Sequence, residues 1–445
     1  MKVDSSVNST RQMSGNDSDA ATRKATVIQR YKKHLARYKA SYFKKVGLDL
    51  VMGRREGIYF YDLTGKRYIN CHCNGGVFNL GHRNPAIIAA IKAALDNYDI
   101  GNHHLISEPR SLLAERLSKS FATDNAESEL TRVVFGVSGG EAADLAIKIA
   151  RGYTKRQKII SIDGGYHGHT GLAASAGDAK YRNPFGLHLP DFVQVPLHDQ
   201  AAMMQEISGA AAVILETVPA TLGMPLFSKA QLQEIRRQCD KHNVVLILDE
   251  IQTGLGRSGK VWAFQHYDIV PDIVISGKGL SGGIYPISAT CYKEKFESVF
   301  KKDPFIHIST YGGAEVGCAA SLAMLDIVSQ PKFLAQVEES GRFFEESWNA
   351  LKEKYPDITD VRRLGMFMGV EFVSAADCLI LVKTLLDNGV FAVYANNDKR
   401  VIQFLPPLIA TKDECNEIMQ LIEKALIDKR RIKYRIFKML LKRLL

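Results

Sequence analysis

Two predicted strands decide the fold, and both lie within residues 244–280, which read VVLILDEIQTGLGRSGKVWAFQHYDIVPDIVISGKGL. The apolar run 244–248 stops at Asp249, and the apolar run 273–276 is followed, after one glycine, by Lys278. Short, nearly continuous apolar strands are typical of a parallel sheet that helices cover on both faces. Ligands of such sheets bind at the carboxyl ends of the strands, so we expect Asp249 and Lys278 on the same edge.

The alternation of strand and helix extends in both directions from this stretch. Further apolar strands are predicted at 133–137, 158–162 and 212–215, with helical stretches between most of them. Nearer the C-terminus, long amphipathic helices enclose strands at 367–373 and 401–405. The sequence therefore predicts the α/β class, with a large, mostly parallel sheet flanked by helices and a smaller α+β domain.

The chain divides into five predicted parts. We expect a disordered polar tail at 1–22, an N-terminal arm with a hairpin at 23–75, a large cofactor-binding domain at 76–330, a small domain at 331–428 and a basic amphipathic tail at 429–445. Within the arm, apolar residues at three- to four-residue spacing predict one amphipathic helix; they are Val27, Tyr31, Leu35, Tyr38 and Tyr42. A basic amphipathic helix suits an anionic membrane surface or a groove on a partner. The same pattern suits a solvated helix that packs on the small domain, and the sequence favours neither.

Composition and charge restrict the class of protein. The 445 residues are 46% hydrophobic and 24% charged, which is typical of a soluble globular protein. Basic residues outnumber acidic ones by ten, yet 20–46 and 429–445 together carry +17, which leaves the rest of the chain at −7. The charge therefore gives no reason to expect a nucleic-acid partner. Seven scattered cysteines predict no disulfide framework and indicate a reducing cytoplasm.

A short Cys-His-Cys sequence could suggest a metal site. Cys71 and Cys73 flank His72, but no second Cys/His pair follows at ligand spacing. We therefore expect no metal, and we expect the two thiols to be buried.

Three groups at the predicted carboxyl edge together suit one cofactor. Ser138, Gly139 and Gly140 follow a strand and open a helix, where free N–H groups and a closely approaching backbone can hold a phosphate. Asp249 can keep a ring nitrogen protonated, and Lys278 can form a Schiff base. Taken singly, a Ser-Gly-Gly turn is more often a plain helix start, such an aspartate is frequently an N-cap, and such a lysine is usually a solvated loop residue. Their joint occurrence indicates pyridoxal 5′-phosphate.

The motifs of this chain resemble those of the class III aminotransferases. That family has the fold of type I pyridoxal-phosphate enzymes and includes ornithine, 4-aminobutyrate and putrescine aminotransferases. The resemblance covers roughly residues 50–425 and depends on the order and spacing of several motifs. They are Ser138-Gly-Gly-Glu-Ala142, Gly165-Tyr-His-Gly168, Leu248-Asp-Glu-Ile-Gln-Thr-Gly-Leu-Gly-Arg257, Ser276-Gly-Lys-Gly-Leu280, Ser309-Thr-Tyr-Gly-Gly313 and Pro406-Pro-Leu408.

The resemblance implies a role for each matching residue. Lys278 would be the Schiff-base lysine and Asp249 the partner of the pyridine N–H, which makes them the catalytic pair. Thr310 matches a threonine that reaches the phosphate bound by the neighbouring subunit, which implies a homodimer. His167 and His169 are expected to be structural. The remaining matches would bind the cofactor: Gln252 at its phenolic oxygen, Tyr166 on its ring, Glu216 beside it, and Ser138, Gly139 and Gly140 at its phosphate.

Two departures from the family pattern bear on the substrate. Thr221 stands where many members have a glutamate, and Gln403 stands where many have an arginine that grips the α-carboxylate of the substrate. Phe78 lies in a stretch that most resembles the putrescine branch, and we expect these three residues in the substrate pocket. Arg400 lies an odd number of residues from Gln403, so on a strand it should face the other side.

These features predict a transaminase, a transferase of nitrogenous groups. It would move the amino group of an amine, a diamine or an ω-amino acid to an oxo acceptor. Related racemases, an aminomutase and a decarboxylase use the same lysine and aspartate, so those reactions remain alternatives. A non-enzymatic protein that binds nucleic acid or membrane is favoured only by the net charge, and such a module has no need of the pair Lys278 and Asp249.

Overall fold

A computed structural model describes residues 17–123, 127–431 and 434 of the chain. The described residues form two compact units. One unit contains the N-terminal residues through Arg55 together with Tyr59–Tyr68. The other contains Glu56–Ile58 and the described residues from Ile69 onward.

The N-terminal unit begins with two helices, where the spacing of apolar residues suggested one. The chain becomes extended at Ala36, with φ −148° and ψ 90°, and this ends the first helix. Leu35 and Tyr38 beside the break are 78% and 87% exposed, so these apolar positions face away from any core. The first helix starts at Asp17, before the first apolar residue of the predicted helix and within the stretch 1–22 for which we expect disorder. The helices are α1 (Asp17–His34) and α2 (Arg37–Val46).

A hairpin follows these helices, as predicted. Asp62 closes its turn, because Oδ1 of this side chain accepts hydrogen bonds from the backbone N–H groups of Thr64 and Lys66 at 2.8 and 3.3 Å. Lys24 adds an ion pair to the same carboxylate at 3.0 Å. The strands, which pair in chain order, are β1 (Met52–Glu56), β2 (Tyr59–Asp62) and β3 (Arg67–Asn70).

The large sheet contains every strand predicted for it. In chain order its strands are β4 (Arg132–Gly136), β5 (Ile159–Ile162), β6 (Phe192–Val195), β7 (Ala212–Glu216), β8 (Val245–Asp249), β9 (Ile273–Ser276) and β10 (Ser288–Tyr292). Their spatial order is β4-β10-β9-β8-β7-β5-β6. β10 runs antiparallel to both of its neighbours, while β5 to β9 pair in parallel. The prediction of a mostly parallel sheet is therefore confirmed.

Helices cover both faces of this sheet, because alternate strand residues enter different apolar clusters. On β8, Leu246 and Leu248 pack in one cluster, and Val245 and Ile247 pack in the other. None of the described helices is long and apolar enough to cross a membrane. The helices after α2 are α3 (Cys73–Gly76), α4 (Pro85–Leu95), α5 (Glu108–Ser120), α6 (Gly139–Thr154), α7 (Gly171–Ala176), α8 (Gln200–Ile207), α9 (Lys229–His242), α10 (Glu315–Val328), α11 (Pro331–Lys354), α12 (Ala375–Asp387) and α13 (Lys412–Asp428).

A second, antiparallel sheet forms the smaller α+β part of the chain. The strands of this part are β11 (Ile358–Leu364), β12 (Phe367–Phe372), β13 (Val390–Phe391), β14 (Val393–Tyr394) and β15 (Val401–Phe404). The sheet has the order β11-β12-β15-β14, and Gln403 pairs with Gly369 in the middle of it. The strand β13 pairs instead with the end of β3, in parallel, through Val390 and Ile69.

The basic C-terminal tail lies mostly outside the described residues. Its described beginning contacts the small domain: Lys429 pairs with Asp357, and the Tyr434 hydroxyl donates to Asp387 at 2.7 Å. The amphipathic pattern predicted for 435–445 falls outside the described part of the chain.

Candidate active site

A cavity of about 320 Å³ lies at the carboxyl edge of the large sheet. The polar lining residues lie at or just after the ends of five strands. Ser138, Tyr166 and Lys278 follow β4, β5 and β9, and Glu216 and Asp249 are the last residues of β7 and β8. This is the edge on which the sequence placed the chemistry. The predicted residues that line it are Ser138, Gly139, Gly140, Tyr166, Glu216, Asp249, Gln252 and Lys278.

Lys278 stands at the centre of this constellation. Its backbone is left-handed, with φ 44°, and its Nζ donates a hydrogen bond to Oε1 of Gln252 at 3.0 Å. A β-carbon at Gly75 would lie 3.5 Å from Nζ, so this glycine leaves room around the amine. Burial lowers the pKa of Lys278, although the carboxylates of Asp249 and Glu216 act in the opposite direction. The amine is therefore more readily uncharged than an exposed lysine, as a nucleophile or base must be.

Asp249 contacts His167, which we expected from the sequence to be structural. Its Oδ2 lies 2.9 Å from Nδ1 of His167, and its Oδ1 accepts from the backbone N–H of Ile251 at 3.1 Å. Asp249 and His167 are only 5% and 3% exposed. His167 also lines the cavity, next to Tyr166 in sequence. Its position in the Gly-Tyr-His-Gly motif is the signal that could have identified it.

Glu216 fixes the backbone on both sides of the cavity wall. Its Oε1 accepts from the Tyr166 N–H at 3.0 Å, and its Oε2 accepts from the Ala220 N–H at 3.2 Å. Burial and the neighbouring Asp249 raise the pKa of Glu216 to about 7, although His167 and the two backbone donors lower it. Burial, followed by the charges of Asp249 and Glu216, also raises the pKa of the Tyr166 phenol.

The predicted phosphate cup is the N-terminus of α6. Ser138 is the N-cap, and its Oγ accepts from the Glu141 N–H at 3.3 Å. A β-carbon at Gly139 would lie 2.7 Å from Cδ1 of Ile251, and one at Gly140 would lie 2.9 Å from a side-chain oxygen of the neighbouring loop. The bare backbone therefore faces the cavity with helix N–H groups, which is an arrangement that binds anions.

The residues present fit pyridoxal 5′-phosphate. The Nε2 of Gln252 is buried and has no hydrogen-bond partner among the described residues. A buried donor of this kind beside Lys278 is a place for a ligand oxygen. The helix N-terminus suits the phosphate, Asp249 suits the ring nitrogen, and Lys278 suits the carbonyl carbon.

Two predicted site residues lie away from this cavity lining. Thr310 is exposed and does not line the cavity of its own chain. The ring of Phe78 lies against that of His82, with centroids 4.2 Å apart and a tilt of 39°, and Phe78 is likewise absent from the lining. Their assignments to a partner's cofactor and to the substrate pocket stay predictions.

Gln403 and Thr221, the other two residues predicted in the substrate pocket, are both buried, and each makes a hydrogen bond that involves the backbone of residues 220–221. Gln403 donates from Nε2 to the Ala220 carbonyl at 2.9 Å, and the N–H of the same Ala220 reaches Glu216. Thr221 is linked to Asn397, whose backbone N–H donates to the Thr221 carbonyl at 2.8 Å. Arg400 precedes β15 and pairs with Asp398 at 2.7 Å and with Glu371 at 3.0 Å, so the prediction from strand alternation does not apply to it.

His72 is a neighbour of this site that no motif indicated. Its half-buried ring stands edge-on to that of Phe391, with ring centroids 6.3 Å apart. Burial, followed by the Lys278 charge, lowers the pKa of His72 to about 4, although the neighbouring Gln403 amide acts in the opposite direction. Cys71 and Cys73 on either side are buried free thiols, as predicted. Within the described residues, no group of His, Cys, Asp and Glu side chains is placed to hold a metal ion.

Comparison with known proteins gives a consistent set of matches. The sequence model of the family described as "Aminotransferase class-III" matches residues 42–426. A protein of Archaeoglobus fulgidus named "Uncharacterized aminotransferase" is 48% identical over 404 residues, covering 91% of this chain and 94% of that protein. The acetylornithine aminotransferase of Caldanaerobacter subterraneus is 33% identical over 400 residues, covering 88% and 98%.

A solved structure extends the likeness to three dimensions. The ornithine aminotransferase of Toxoplasma gondii, described with partial occupancy of PLP at its active site, has a TM-score of 0.79 and 28% identity, covering 85% of this chain and 90% of that one.

Proposed function

The chain belongs to the class-III aminotransferase family, and from that premise we propose that its amino donor is an amine, a diamine or an ω-amino acid. The chain is a pyridoxal-phosphate-dependent transferase, and an oxo compound is the acceptor. The observation that carries the choice of donor is the neutral side chain of Gln403, whose amide donates to the Ala220 carbonyl at the position where the resemblance to the family implies an arginine in many members. A neutral amide offers an α-carboxylate no ion pair.

Lys278 performs the covalent and proton-transfer work in this proposal. When bound, the cofactor supplies a carbonyl for the amino group and a ring that withdraws electrons. Burial keeps Nζ of Lys278 closer to its uncharged form, so that it can take a proton from the amine-bearing carbon of the donor. Gln252 holds that Nζ at 3.0 Å and so fixes its position.

Asp249 and its neighbours hold the cofactor ring in this proposal. The Asp249 carboxylate would keep the ring nitrogen protonated, and His167 orients that carboxylate from the side at 2.9 Å. Glu216 anchors the Tyr166 backbone at 3.0 Å, which positions the phenol ring over the cavity. The N–H groups after Ser138 would bind the phosphate.

We also propose a homodimer that completes the site, with Thr310 reaching the cofactor of the partner. Exposed apolar side chains lie in the loop that precedes Thr310 and in the loop that follows His104. The two loops meet where the rings of His104 and Phe305 pack, with their centroids 5.3 Å apart. Exposed apolar patches of this kind mark contact surfaces. The patch contains Leu105 (68% exposed), Ile106 (101%), Phe305 (53%) and Ile306 (62%).

The cytoplasm is the compartment we propose. The thiols of all seven cysteines are free and buried, which supports a reducing environment.

A panel of donors tests the proposed activity. Purified holoenzyme is mixed with each amine, diamine, ω-amino acid or α-amino acid, and both the cofactor absorbance and the oxo product are followed. We expect conversion with amines or ω-amino donors, and loss of the lysine-linked absorbance in Lys278→Ala but not in the control Lys424→Ala, whose side chain is exposed. Strong preference for glutamate as donor would contradict the donor class. Turnover without an oxo product would favour racemase, aminomutase or decarboxylase chemistry.

A further inference from the structure

The end of α1 and the whole of α2 expose apolar and basic side chains together. Leu35, Tyr38 and Tyr42 are 78%, 87% and 49% exposed. Exposed cations flank them in the sequence, and we call the whole set the arm surface. Exposed apolar side chains that are grouped in this way mark a contact surface. The cations of the arm surface are Arg30, Lys32, Lys33, Arg37, Lys39, Lys44 and Lys45.

The positive charge of the arm surface is not neutralised by its own segment. Residues 20–46 carry nine basic side chains and no acidic one. Lys24 pairs with Asp62 at 3.0 Å, but in the part of the chain that the structure describes no cation of the arm surface forms such an ion pair. The arm surface is therefore complementary to an anionic partner.

The space between the two helices is apolar. A cavity of about 240 Å³ is lined by residues of α1, of α2 and of 49–52. Apart from Asp49, these residues are aliphatic or aromatic, and they include Val27, Tyr31 and Phe43. An acyl chain can occupy such a space, whereas nucleic acid is bound by stacking and by phosphate contacts in a basic groove. An anionic lipid therefore suits both the charge and the cavity.

The residue types of the arm surface favour a membrane over another protein. Lysine is depleted at the centre of protein interfaces relative to the rest of the surface. Helices that lie on a membrane surface instead combine lysine and arginine with leucine and aromatic side chains, and tyrosine rings are enriched at the level of the lipid headgroups. Leu35 and Tyr38 among exposed lysines and arginines match this composition.

We propose that the arm surface binds peripherally to an anionic lipid membrane. Leu35 and Tyr38 would enter the layer of lipid headgroups, and the surrounding cations would contact the lipid phosphates. Lipids of this charge are present in the cytoplasmic leaflet of membranes. The inference goes beyond the proposed transaminase function and does not depend on the identity of the amino donor.

Cosedimentation of the holoenzyme with lipid vesicles tests the proposal. The vesicles contain phosphatidylcholine alone or phosphatidylcholine with about 30% phosphatidylglycerol. Because each cation near an anionic surface strengthens binding about fivefold, neutralising four of them should lower the partition coefficient on the anionic vesicles at least tenfold. Leu35→Ser/Tyr38→Ser should also bind several-fold more weakly than the wild type. The charge variant is Lys32→Gln/Lys33→Gln/Arg37→Gln/Lys39→Gln.

A control variant has the same change in net charge at exposed lysines outside the arm surface. It should bind the anionic vesicles nearly as tightly as the wild type. The basic residues 429–445 are present in every variant, so they do not contribute to the differences. All variants should keep the cofactor absorbance of the wild type, which shows that they are folded. The control is Lys241→Gln/Lys332→Gln/Lys412→Gln/Lys424→Gln.

A tryptophan at position 35 reports contact with lipid directly. The two native tryptophans, Trp262 and Trp348, are fully buried, so Leu35→Trp adds an exposed fluorophore. Its emission should shift to shorter wavelength with the anionic vesicles, and lipids that are brominated in their acyl chains should quench it. Emission that the anionic vesicles leave unchanged would contradict the insertion of residue 35.

Other occupants of the arm surface give different results. A wild type that does not bind the anionic vesicles, or a charge variant that binds them as tightly as the wild type, would overturn the inference. A dimer that dissociates in Leu35→Ser/Tyr38→Ser, as measured by gel filtration, would instead place the arm surface between two copies of the chain. Binding of a single-stranded oligonucleotide that is lost in the charge variant, without binding of vesicles, would assign the surface to nucleic acid.

Discussion

Glu216 is a carboxyl group whose pKa is raised by its position in the cavity wall. Burial and the neighbouring Asp249 raise its pKa to about 7, while its two oxygens accept backbone N–H groups of Tyr166 and Ala220. A carboxyl group with a raised pKa in the folded protein binds its proton more tightly than in the unfolded chain. Its contribution to stability is therefore complete below the unfolded pKa, and it is lost as the pH rises through about 7.

Replacing Glu216 with glutamine should remove this pH dependence. The neutral amide cannot ionise, but it keeps only one of the two acceptor oxygens. Glu216→Gln should therefore lower the free energy of unfolding at pH 5 by about 1 kcal/mol for one lost backbone hydrogen bond, and by less at pH 8, where the wild-type carboxylate is itself destabilised. Urea unfolding of wild type and variant at both pH values measures the difference. Glu353→Gln, at an exposed carboxyl, is the control, and it should change the free energy of unfolding by the same amount at pH 5 and at pH 8. A Glu216→Gln effect that does not vary with pH would contradict the prediction.

The residue types of the site were easier to predict than their contacts. Lys278, Asp249 and the Ser138 turn were found because each directly follows an apolar strand, and strand ends can be located from sequence. His72 could not be found, because its contact with Phe391 joins the loop after β3 to β13 and depends on how these two strands pair. Such long-range contacts have no local sequence signal.

At the scale of elements, the N-terminus of α6 depends on glycines that pack against other segments. A β-carbon at Gly140 would approach Oγ1 of Thr170 to 2.9 Å, while one at Gly171 would meet nothing within 4 Å. Contacts below 3.0 Å require the neighbouring atoms to shift, which here would displace the loop that lines the cavity.

Gly140→Ala should therefore weaken cofactor binding while the protein remains folded. We expect the Kd of pyridoxal 5′-phosphate to rise roughly tenfold, which corresponds to about 1.4 kcal/mol, and a fluorescence titration measures it. The double variant Gly140→Ala/Thr170→Ala should recover part of the affinity, because it removes the oxygen that the new methyl group meets. Gly171→Ala is the matched control and should bind normally. Equal losses in Gly140→Ala and Gly171→Ala would show that the close contact is not the cause.

Sequence reasoning missed two strands of the large sheet, β6 and β10. The strand β6 reads Phe-Val-Gln-Val and lies at the sheet edge, and β10 reads Ser-Ala-Thr-Cys-Tyr and lacks a run of large apolar residues. Both strands are defined by pairing with neighbours rather than by their own hydrophobicity. The helix predicted through Leu35 is likewise interrupted at Ala36, where no proline or glycine marks the break.

At the scale of the whole molecule, the cavity of one chain contains most but not all of the predicted cofactor contacts. The cup, the carboxylate and the lysine come from one chain, while Thr310 is exposed and stands apart from the lining of its own cavity. In a twofold dimer, each chain would give its Thr310 to the other site and receive one in return. The two halves of the active site can then be inactivated on different chains.

Subunit complementation tests this arrangement. Lys278→Ala removes the reactive amine, and Thr310→Glu places a negative charge where the partner's phosphate would lie, so each variant alone should lose most activity. A heterodimer of the two contains one intact site, formed by Lys278 of one chain and Thr310 of the other. Since random pairing of equal amounts makes half of the dimers mixed, co-refolding should restore about a quarter of the wild-type activity. A control mixture of Lys278→Ala with Asp249→Asn should restore none. Each site takes both Lys278 and Asp249 from the same chain, so a mixed dimer of these two variants has no intact site. If the first mixture also remained inactive while gel filtration showed mixed dimers, Thr310 would not serve the site of its partner.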